Sequence, residues 1–178
     1  MSNRYYRPLK QGERRRHIIY ALVRNEFGVL ARIATLIAGK GYNIEDLSVG
    51  QTHEEGISRM TLEVIGDDVV IDQVVKQLRK LIDTIKVVDL TDVPHVEREL
   101  ALIKVNAQSF EVRQEIMRLC EIFRAKVVDV SQSSYSIEIT GSGDKIDAFA
   151  RLLQPFGIIE MARTGKVALR REGTYEED

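Results

Sequence analysis

Three residues in the stretch Asn25–Gly50 have types and spacing suited to binding a small zwitterion. Gly28 precedes a predicted helix, whose first amides have no intrahelical partner and whose dipole is positive at that end. A carboxylate binds well there, and glycine lets it approach the backbone closely. Asn25 and Asn43 each carry a donor and an acceptor, and we expect their amides to converge. Together these groups match the ammonium and carboxylate of an α-amino acid.

The same residues also have an ordinary structural interpretation. An asparagine at the end of a strand is commonly a turn former, and a lone glycine before a helix is common in loops. From the residue types alone, both a binding loop and a simple turn remain open.

The elements that hold these residues are predicted by hydrophobic periodicity. The β-branched run His17–Arg24 predicts a strand before the loop, and Ile44–Thr52 predicts another after it. Between them, apolar residues at helical spacing predict a helix with one inner face: Val29, Leu30, Ile33, Ala34, Leu36 and Ile37. We predict that Gly39 and Gly41 end this helix.

The next part of the chain completes a first module. Ile57–Ile65 predicts a strand with one buried face, because Met60, Leu62 and Val64 alternate with Thr61 and Glu63. Asp67 or Asp68 is predicted to cap a second helix. Its apolar stripe comprises Ile71, Val74, Val75, Leu78, Leu81 and Ile82. Val87–Thr91 closes the module as a strand, which gives the ferredoxin-like order βαββαβ.

A second module repeats this order after a linker predicted at Asp92–Glu99, where Pro94 interrupts regular structure. Its predicted strands are Leu100–Asn106, Lys126–Ser131, Tyr135–Gly141 and Gly157–Arg163. Ser109 is predicted to cap its first helix, and Ile146–Leu153 lies in its second. Ala107, Gln108 and Ser109 replace the glycine-containing loop, so we expect no equivalent binding site there and assign the module to packing and dimer contacts.

Composition limits the class of protein. The chain has 178 residues and a formal net charge of −1, so general electrostatics do not favour nucleic acid. Cys120 is the only cysteine, which excludes an internal disulfide and favours a reducing compartment. No apolar run reaches the roughly 18–20 residues of a membrane helix, and no secretory signal is recognised. We predict a cytoplasmic protein.

Motifs for catalysis are missing from the sequence. It contains no P-loop, dinucleotide fingerprint or G-x-S-x-G, and no His/Cys/Asp cluster at metal-ligand spacing. We therefore expect no catalytic residues, no metal and no cofactor in this chain. Cys120, inside a predicted helix, is interpreted as a small hydrophobic residue.

The order of several short motifs resembles one family. Asn-Glu-x-Gly-x-Leu-x-Arg from Asn25, followed by Gly-Tyr-Asn-Ile-Glu from Gly41, resembles the ACT domain of the regulatory (small) subunit of acetolactate synthase. SRMTLEV, KQLRKLID, HVERELALIKV, EIFRAKVVDV, KIDAFARLL and EMARTGKVAL resemble the same family in the same order. The resemblance extends from about His17 to Arg171.

This resemblance implies a fold class and a domain division. It implies an α+β protein of two ferredoxin-like modules, the first an ACT domain, with antiparallel sheets that carry helices on one face. The expected segments are a flexible basic tail (1–16), the ACT domain (17–92), a C-terminal domain (97–171) and an acidic tail (172–178).

The resemblance also implies a function. The chain is expected to bind and activate the catalytic subunit and to confer feedback inhibition by valine in branched-chain amino-acid biosynthesis. Thiamine diphosphate and Mg²⁺ are expected in that larger partner. The expected valine site comprises Asn25, Gly28, Val29, Leu30, Asn43 and Ile44, at an interface between two copies. Burial of the valine side chain against Leu30 and Ile44 would contribute about 1.5–3 kcal/mol.

The sequence disfavours two other classes of function. An ACT-domain transcription regulator would need a DNA-binding element, and we predict none beside the modules. The first 16 residues combine Arg and Lys with Tyr5 and Tyr6, which can stack on nucleic acid, but we interpret them as a mobile terminus because no nucleic-acid fold follows. An amino-acid-metabolising enzyme is disfavoured by the missing catalytic motifs.

Overall fold

A computed structural model describes residues 14–39 and 43–171 of the chain. The chain divides into two compact units. The first runs to Val96 and includes the segment from Lys166 onward, and the second comprises Glu97–Gly165. Each unit contains one antiparallel sheet with two α-helices.

The first unit has the predicted βαββαβ order. Its elements are β1 (Arg15–Arg24), α1 (Val29–Ala38), β2 (Ile44–Gln51), β3 (Ile57–Gly66), α2 (Asp68–Leu78) and β4 (Thr84–Asp89). The strands lie in the order β2-β3-β1-β4, and each neighbouring pair is antiparallel. This is the ferredoxin-like arrangement, so the predicted fold class is confirmed for this unit.

The core of this unit lies between the sheet and the two helices. Alternate residues of β1 and β3 face one stripe of each helix, as the sequence periodicity predicts. The central buried residues are Ile19, Ala21, Val23, Met60, Leu62, Val64, Val29, Ile33, Ile37, Ile71, Val74 and Leu78.

The opposite face of β3 is also buried, which corrects the prediction of a single buried face. Thr61 and Glu63 are buried as well as the apolar residues between them. The cause is the C-terminal segment, which the sequence did not connect with this strand. Lys166 forms an ion pair with Glu63, and the Arg59 guanidinium donates to the Ala168 carbonyl oxygen at 2.6 Å.

The helix ends follow the predictions with one correction. The Asp67 side chain accepts the Val70 amide at 2.8 Å and thereby caps α2. Gly39 ends α1 with right-handed dihedral angles (φ −62°), and a β-carbon there would lie only 3.1 Å from the Thr35 carbonyl oxygen. Ile82 is exposed beyond the end of α2, so its assignment to the apolar stripe was wrong. Gly41 lies outside the described residues.

The second unit repeats the architecture. It contains all but the first two residues of β5 (His95–Asn106), together with α3 (Phe110–Phe123), β6 (Lys126–Val130), β7 (Ser134–Gly141), α4 (Gly143–Leu153) and β8 (Ile158–Arg163). Its strands lie in the order β6-β7-β5-β8, so the second predicted ferredoxin-like module is confirmed. Its core combines β5, β7, α3 and α4 around the fully buried Ile103, Ile116, Ile137 and Phe149.

The predicted segment boundaries need correction at two places. The linker is shorter than Asp92–Glu99, because β5 begins at His95. Arg15 and Arg16 begin β1 and are not part of a tail. β9 (Val167–Arg170), within the expected C-terminal domain, belongs to the first compact unit. In that unit the Arg171 amide donates to the Pro94 carbonyl oxygen at 2.9 Å. Residues 1–13 and 172–178 lie outside the described chain.

The helices of the described residues are short. None of them is long and apolar enough to cross a membrane. The longest, α3, has 14 residues.

Candidate functional site

Gly28 has the backbone conformation that makes it specific for its position. It lies at the start of α1 with φ 83° and ψ −4°, in the left-handed region. A residue with a β-carbon is strained there by roughly 1–2 kcal/mol. None of the described side chains caps this helix, and its first turn contains no acidic residue. The helix therefore begins without an anionic or hydroxyl partner of its own.

Backbone amides are available at the same point. The Arg32 amide makes the first regular helical bond, to the Gly28 carbonyl oxygen at 3.0 Å, whereas the Val29 amide has a long bond of 3.4 Å to Glu26. For the Leu30 and Ala31 amides no acceptor is found among the described residues. These donors and the positive end of the helix dipole favour an anion here.

The apolar residues predicted for the site have different positions. Val29 is buried in the core of the first unit, so only its backbone can contact a ligand. The Leu30 side chain is 45% exposed beside the loop. Ile44 is half-buried and packs at the edge of the core.

Asn25 and Asn43 do not converge within one chain, which corrects the prediction. β1 and β2 both run antiparallel to β3 and are therefore parallel to each other. Arg24, just before Asn25, lies opposite Ile57, whereas Ile44 lies opposite Val64. Seven residues of β3 separate these levels, or roughly 23 Å at about 3.3 Å per residue. The prediction failed because α1 returns the chain to the opposite end of the sheet before β2 begins.

The two asparagines also have separate local contacts. The backbone amide of Asn25 donates to the Gly56 carbonyl oxygen at 2.7 Å, which connects the loop to the β2–β3 turn. The Asn43 side chain donates to Glu45 Oε1 at 2.9 Å and is exposed. Asn25 thus shares the end of the sheet at which α1 begins, and Asn43 lies at the other end.

The matching loop of the second unit is occupied by its own side chains. Ser109 caps α3 as predicted, because its Oγ accepts the Val112 amide at 3.2 Å. The Arg113 guanidinium donates to the Ala107 carbonyl oxygen at 2.8 Å and also to Ser131 and Gln132. The start of this helix is therefore capped by Ser109, and the Arg113 side chain occupies the adjacent loop, in contrast to the start of α1.

A polar cleft of about 440 Å³ lies in the first unit, and no motif in the sequence predicts it. Its lining includes Arg15, His17, Asp68, Asp89 and Asp92. Arg15 donates to Asp68 at 3.0 Å and to Asp92 at 2.8 and 2.6 Å. Charged residues in three separate segments carry no common spacing, so only the fold shows that they are neighbours.

His17 is the buried member of this cleft. Thr91 Oγ1 donates to Asp89 and lies 3.2 Å from His17 Nδ1, so Nδ1 is the donor in its contact with Thr91. His17 Nε2 has no partner among the described residues and lies 3.6 Å from Asp68 Oδ1. Burial raises the pKa of Asp89, but the hydrogen bonds from His17 and Thr91 together hold it below its ordinary value.

Cys120 is buried in α3 and unbridged. Burial raises the pKa of its thiol to about 11, so it stays protonated and unreactive near neutral pH. The prediction of a buried hydrophobic role is confirmed. Among the described residues no cluster of three or more His, Cys, Asp or Glu side chains is arranged to hold a metal ion.

Known proteins resemble this chain over most of its length. Residues 19–86 match the family described as AHAS small subunit-like ACT domain, and residues 98–172 match the family described as small subunit of acetolactate synthase. The acetolactate synthase small subunit of Aquifex aeolicus is 70% identical over 172 residues, which cover 97% of this chain and 90% of that protein. The isozyme 3 small subunit of Salmonella typhimurium is 42% identical over 157 residues, which cover 88% and 96%.

A solved structure shows the same fold. The crystal structure of the acetolactate synthase small subunit of Thermotoga maritima has a TM-score of 0.81 and 44% identity, and the alignment covers 88% of this chain and 98% of that one. Fold and sequence together define an ACT-domain protein with a second ferredoxin-like module. The chain belongs to the family of acetolactate synthase small subunits, which are regulatory subunits.

Proposed function

We propose that this chain binds the catalytic subunit of acetolactate synthase, raises its activity and makes it sensitive to inhibition by valine. The observation that carries the proposal is the open start of α1 within the ACT domain: Gly28 in the left-handed conformation, no capping side chain, and free first-turn amides. The family supplies the enzymatic context. The catalytic groups, with thiamine diphosphate and Mg²⁺, belong to the larger subunit.

The proposed ligand is a branched-chain amino acid bound through its polar end. Its carboxylate accepts from the amides at the start of α1, and Asn25 offers both a donor and an acceptor at the same end of the sheet. Leu30 offers an exposed apolar surface for the ligand side chain. Because this apolar surface is small, hydrogen bonds to the carboxylate and ammonium of the ligand contribute much of the affinity.

A second copy of the chain completes the proposed site. Within the part of the chain that the structure describes, β2 is an edge strand that pairs with β3 alone, and such an edge invites pairing. A twofold axis near Leu47 would pair β2 antiparallel with its copy and bring Asn43 of the second copy opposite Gln51. That position lies at the end of the sheet that holds Asn25 and Gly28, since Gln51 pairs with Ser58 and Val23 pairs with the same Ser58. Ligand binding would then be coupled to assembly, as feedback requires.

Reconstitution with the large subunit tests this function. The purified chain alone, supplied with pyruvate, thiamine diphosphate and Mg²⁺, should form no acetolactate, and it should stimulate a large subunit that is weakly active alone. Valine should then inhibit the reconstituted enzyme. Acetolactate formation by the highly purified chain alone would refute the non-catalytic role, and a clean monomer in light scattering with and without valine would refute the interfacial site.

A further inference from the structure

Arg32 has one guanidinium nitrogen left over from its ion pair. Nε donates to Asp83 Oδ2 at 2.8 Å, and Nη2 lies 2.6 Å from the same oxygen in the ion pair. Asp83 is 10% exposed at its side chain, whereas Arg32 is 49% exposed and open to solvent. Nη1 has no acceptor among the described residues. The side chain is therefore held on one side and offers a donor on the other.

The free nitrogen lies beside Gly28. A β-carbon built on Gly28 would be 3.4 Å from Arg32 Nη1. The guanidinium thus lies next to the backbone where the left-handed glycine leaves space at the start of α1. Arg32 follows Gly28 by four residues, which places it one helical turn into α1, with its side chain directed back toward the helix start.

Asp83 also fixes the loop that carries this glycine. Its carbonyl oxygen accepts the Arg24 amide at 2.9 Å, immediately before Asn25. One residue of the α2–β4 connection therefore holds both the end of β1 and the Arg32 side chain. A buried carboxylate that accepts a charge-assisted hydrogen bond from Nε and lies close to Nη2 gives the guanidinium a defined orientation.

We propose that Arg32 recognises the carboxylate of the amino-acid ligand through Nη1, and that Asp83 is the positioning residue that aims it. The inference rests on the proposed amino-acid site and names the group that distinguishes an acid from its uncharged analogues. Guanidinium and helix amides would donate to the same carboxylate, and charge-assisted bonds are the stronger ones. Because Asp83 already balances part of the charge, the effect of Arg32 on affinity is moderate.

The second unit offers a matched comparison. Arg113 follows the helix cap Ser109 by four residues, as Arg32 follows Gly28. The Arg113 guanidinium, however, is committed to the carbonyl oxygens of Ala107, Ser131 and Gln132. Nη1 of each arginine has no acceptor among the described residues, but the start of α3 is capped by Ser109 whereas the start of α1 has no capping side chain. Arg113 therefore provides the control.

The experiment compares valine with valinamide, which keeps the ammonium and the isopropyl group but lacks the carboxylate. Binding of each to the full chain is measured by calorimetry. Wild type should prefer valine. Arg32→Gln should weaken the affinity for valine about tenfold and leave the affinity for valinamide unchanged, so that the preference for valine falls by about tenfold. Arg113→Gln should leave the preference unchanged.

Two further variants separate recognition from structure. Arg32→Lys retains a cation for Asp83, but its single ammonium stays on that carboxylate, so the preference for valine should again fall. This variant also carries the test if Arg32→Gln does not fold. Asp83→Asn keeps Arg32 but removes its ion pair, so it should reduce the preference for valine less than the Arg32 variants do.

The outcomes distinguish this inference from the proposed function. If wild type binds valine and both Arg32 variants keep the full preference for valine over valinamide, Arg32 does not read the carboxylate and the inference is wrong, while the proposed function stands. If wild type binds neither valine nor another branched-chain amino acid, alone or with the large subunit, the proposed function is wrong and this inference falls with it.

Discussion

The Lys166 ammonium forms an ion pair with the Glu63 carboxylate in the middle of β3, 103 residues earlier in the chain. The two side chains are only 10% and 3% exposed. A buried carboxylate needs such a partner, because an unpaired charge is costly to remove from water. The segment from Lys166 to Arg170 is thus part of the first unit, where Lys166 and Ala168 cover part of the sheet face opposite the helices.

Replacing Lys166 by Met should therefore destabilise the chain. We expect a loss of about 3 kcal/mol, the lower end for breaking a buried pair, because Arg16 also lies 3.2 Å from Glu63. The free energy of unfolding is measured by denaturant titration. Lys76→Met breaks the exposed pair with Asp72 and should cost no more than about 0.5 kcal/mol. Equal losses in the free energy of unfolding for the two variants would show that the buried Lys166–Glu63 pair stabilises the fold no more than an exposed pair.

The polar cleft that contains His17 and Asp89 predicts that the free energy of unfolding depends on pH in the acid range. The folded pKa of Asp89 is below its ordinary value, so its ionised form stabilises the fold above the unfolded pKa of about 3.9. That contribution is lost as the pH falls through the folded pKa. The charged neighbours in the cleft are Arg15, Asp68, Asp72, Arg79 and Asp92, with His17.

Asp89→Asn should remove this part of the acid dependence. The denaturation midpoint is measured from pH 6 down to the acid limit, and the variant should lose less stability below about pH 4 than wild type. Asp129→Asn, on β6 of the second unit, serves as the control. Identical pH profiles for Asp89→Asn and wild type would contradict the coupling.

The sequence predicted the elements better than their mutual placement. Periodicity identified Val29–Ile37 as a helix and Tyr135–Gly141 as a strand, because the inner face of each element has its own local repeat. It did not place Glu63 opposite Lys166, since nothing local distinguishes a buried glutamate on an apparently exposed face. Arg15, His17 and Asp89 were missed for the same reason.

In the candidate site, too, a local element was predicted correctly and the placement of distant residues was not. The open helix start at Gly28 could be predicted from a glycine followed by an apolar periodic segment. The convergence of Asn25 with Asn43 within one chain was wrong, because proximity in sequence gives no strand direction. The antiparallel register to β3 decides that these residues lie at opposite ends of the sheet.

Gly28→Asp should abolish valine inhibition and keep activation of the catalytic subunit. An Asp carboxylate would occupy the helix start, repel the ligand carboxylate and lie beside Arg32. The left-handed backbone adds a strain cost of roughly 1 kcal/mol. Asn43→Ala should weaken inhibition less, since it removes hydrogen bonds without adding repulsion. A valine titration of the reconstituted enzyme measures both. Inhibition of Gly28→Asp at the wild-type valine concentration would show that the ligand binds elsewhere.

Mixed dimers test whether each site takes its asparagine from the second copy. In a dimer of one Gly28→Asp chain and one Asn43→Ala chain, an interfacial arrangement gives one site with both substitutions and one site with neither. Valine should then bind with wild-type affinity at half the wild-type stoichiometry. If each chain held a complete site, both sites of this dimer would be damaged. The two chains carry different affinity tags, and calorimetry of the doubly purified dimer gives affinity and stoichiometry.

The reverse pairing provides the control. A chain with both substitutions, paired with wild type, leaves no intact interfacial site: one has the Gly28→Asp loop, and the other lacks Asn43. Wild-type affinity should therefore be absent from this dimer, although half of its chains are wild type. If instead this dimer keeps one wild-type site and the first dimer has none, Gly28 and Asn43 of the same chain serve one ligand. That result would exclude pairing through the edge strand β2 as the origin of the site, because such pairing brings Asn43 of one copy to the Gly28 loop of the other. It would also contradict the strand register, which leaves the two ends of the sheet roughly 23 Å apart within a chain.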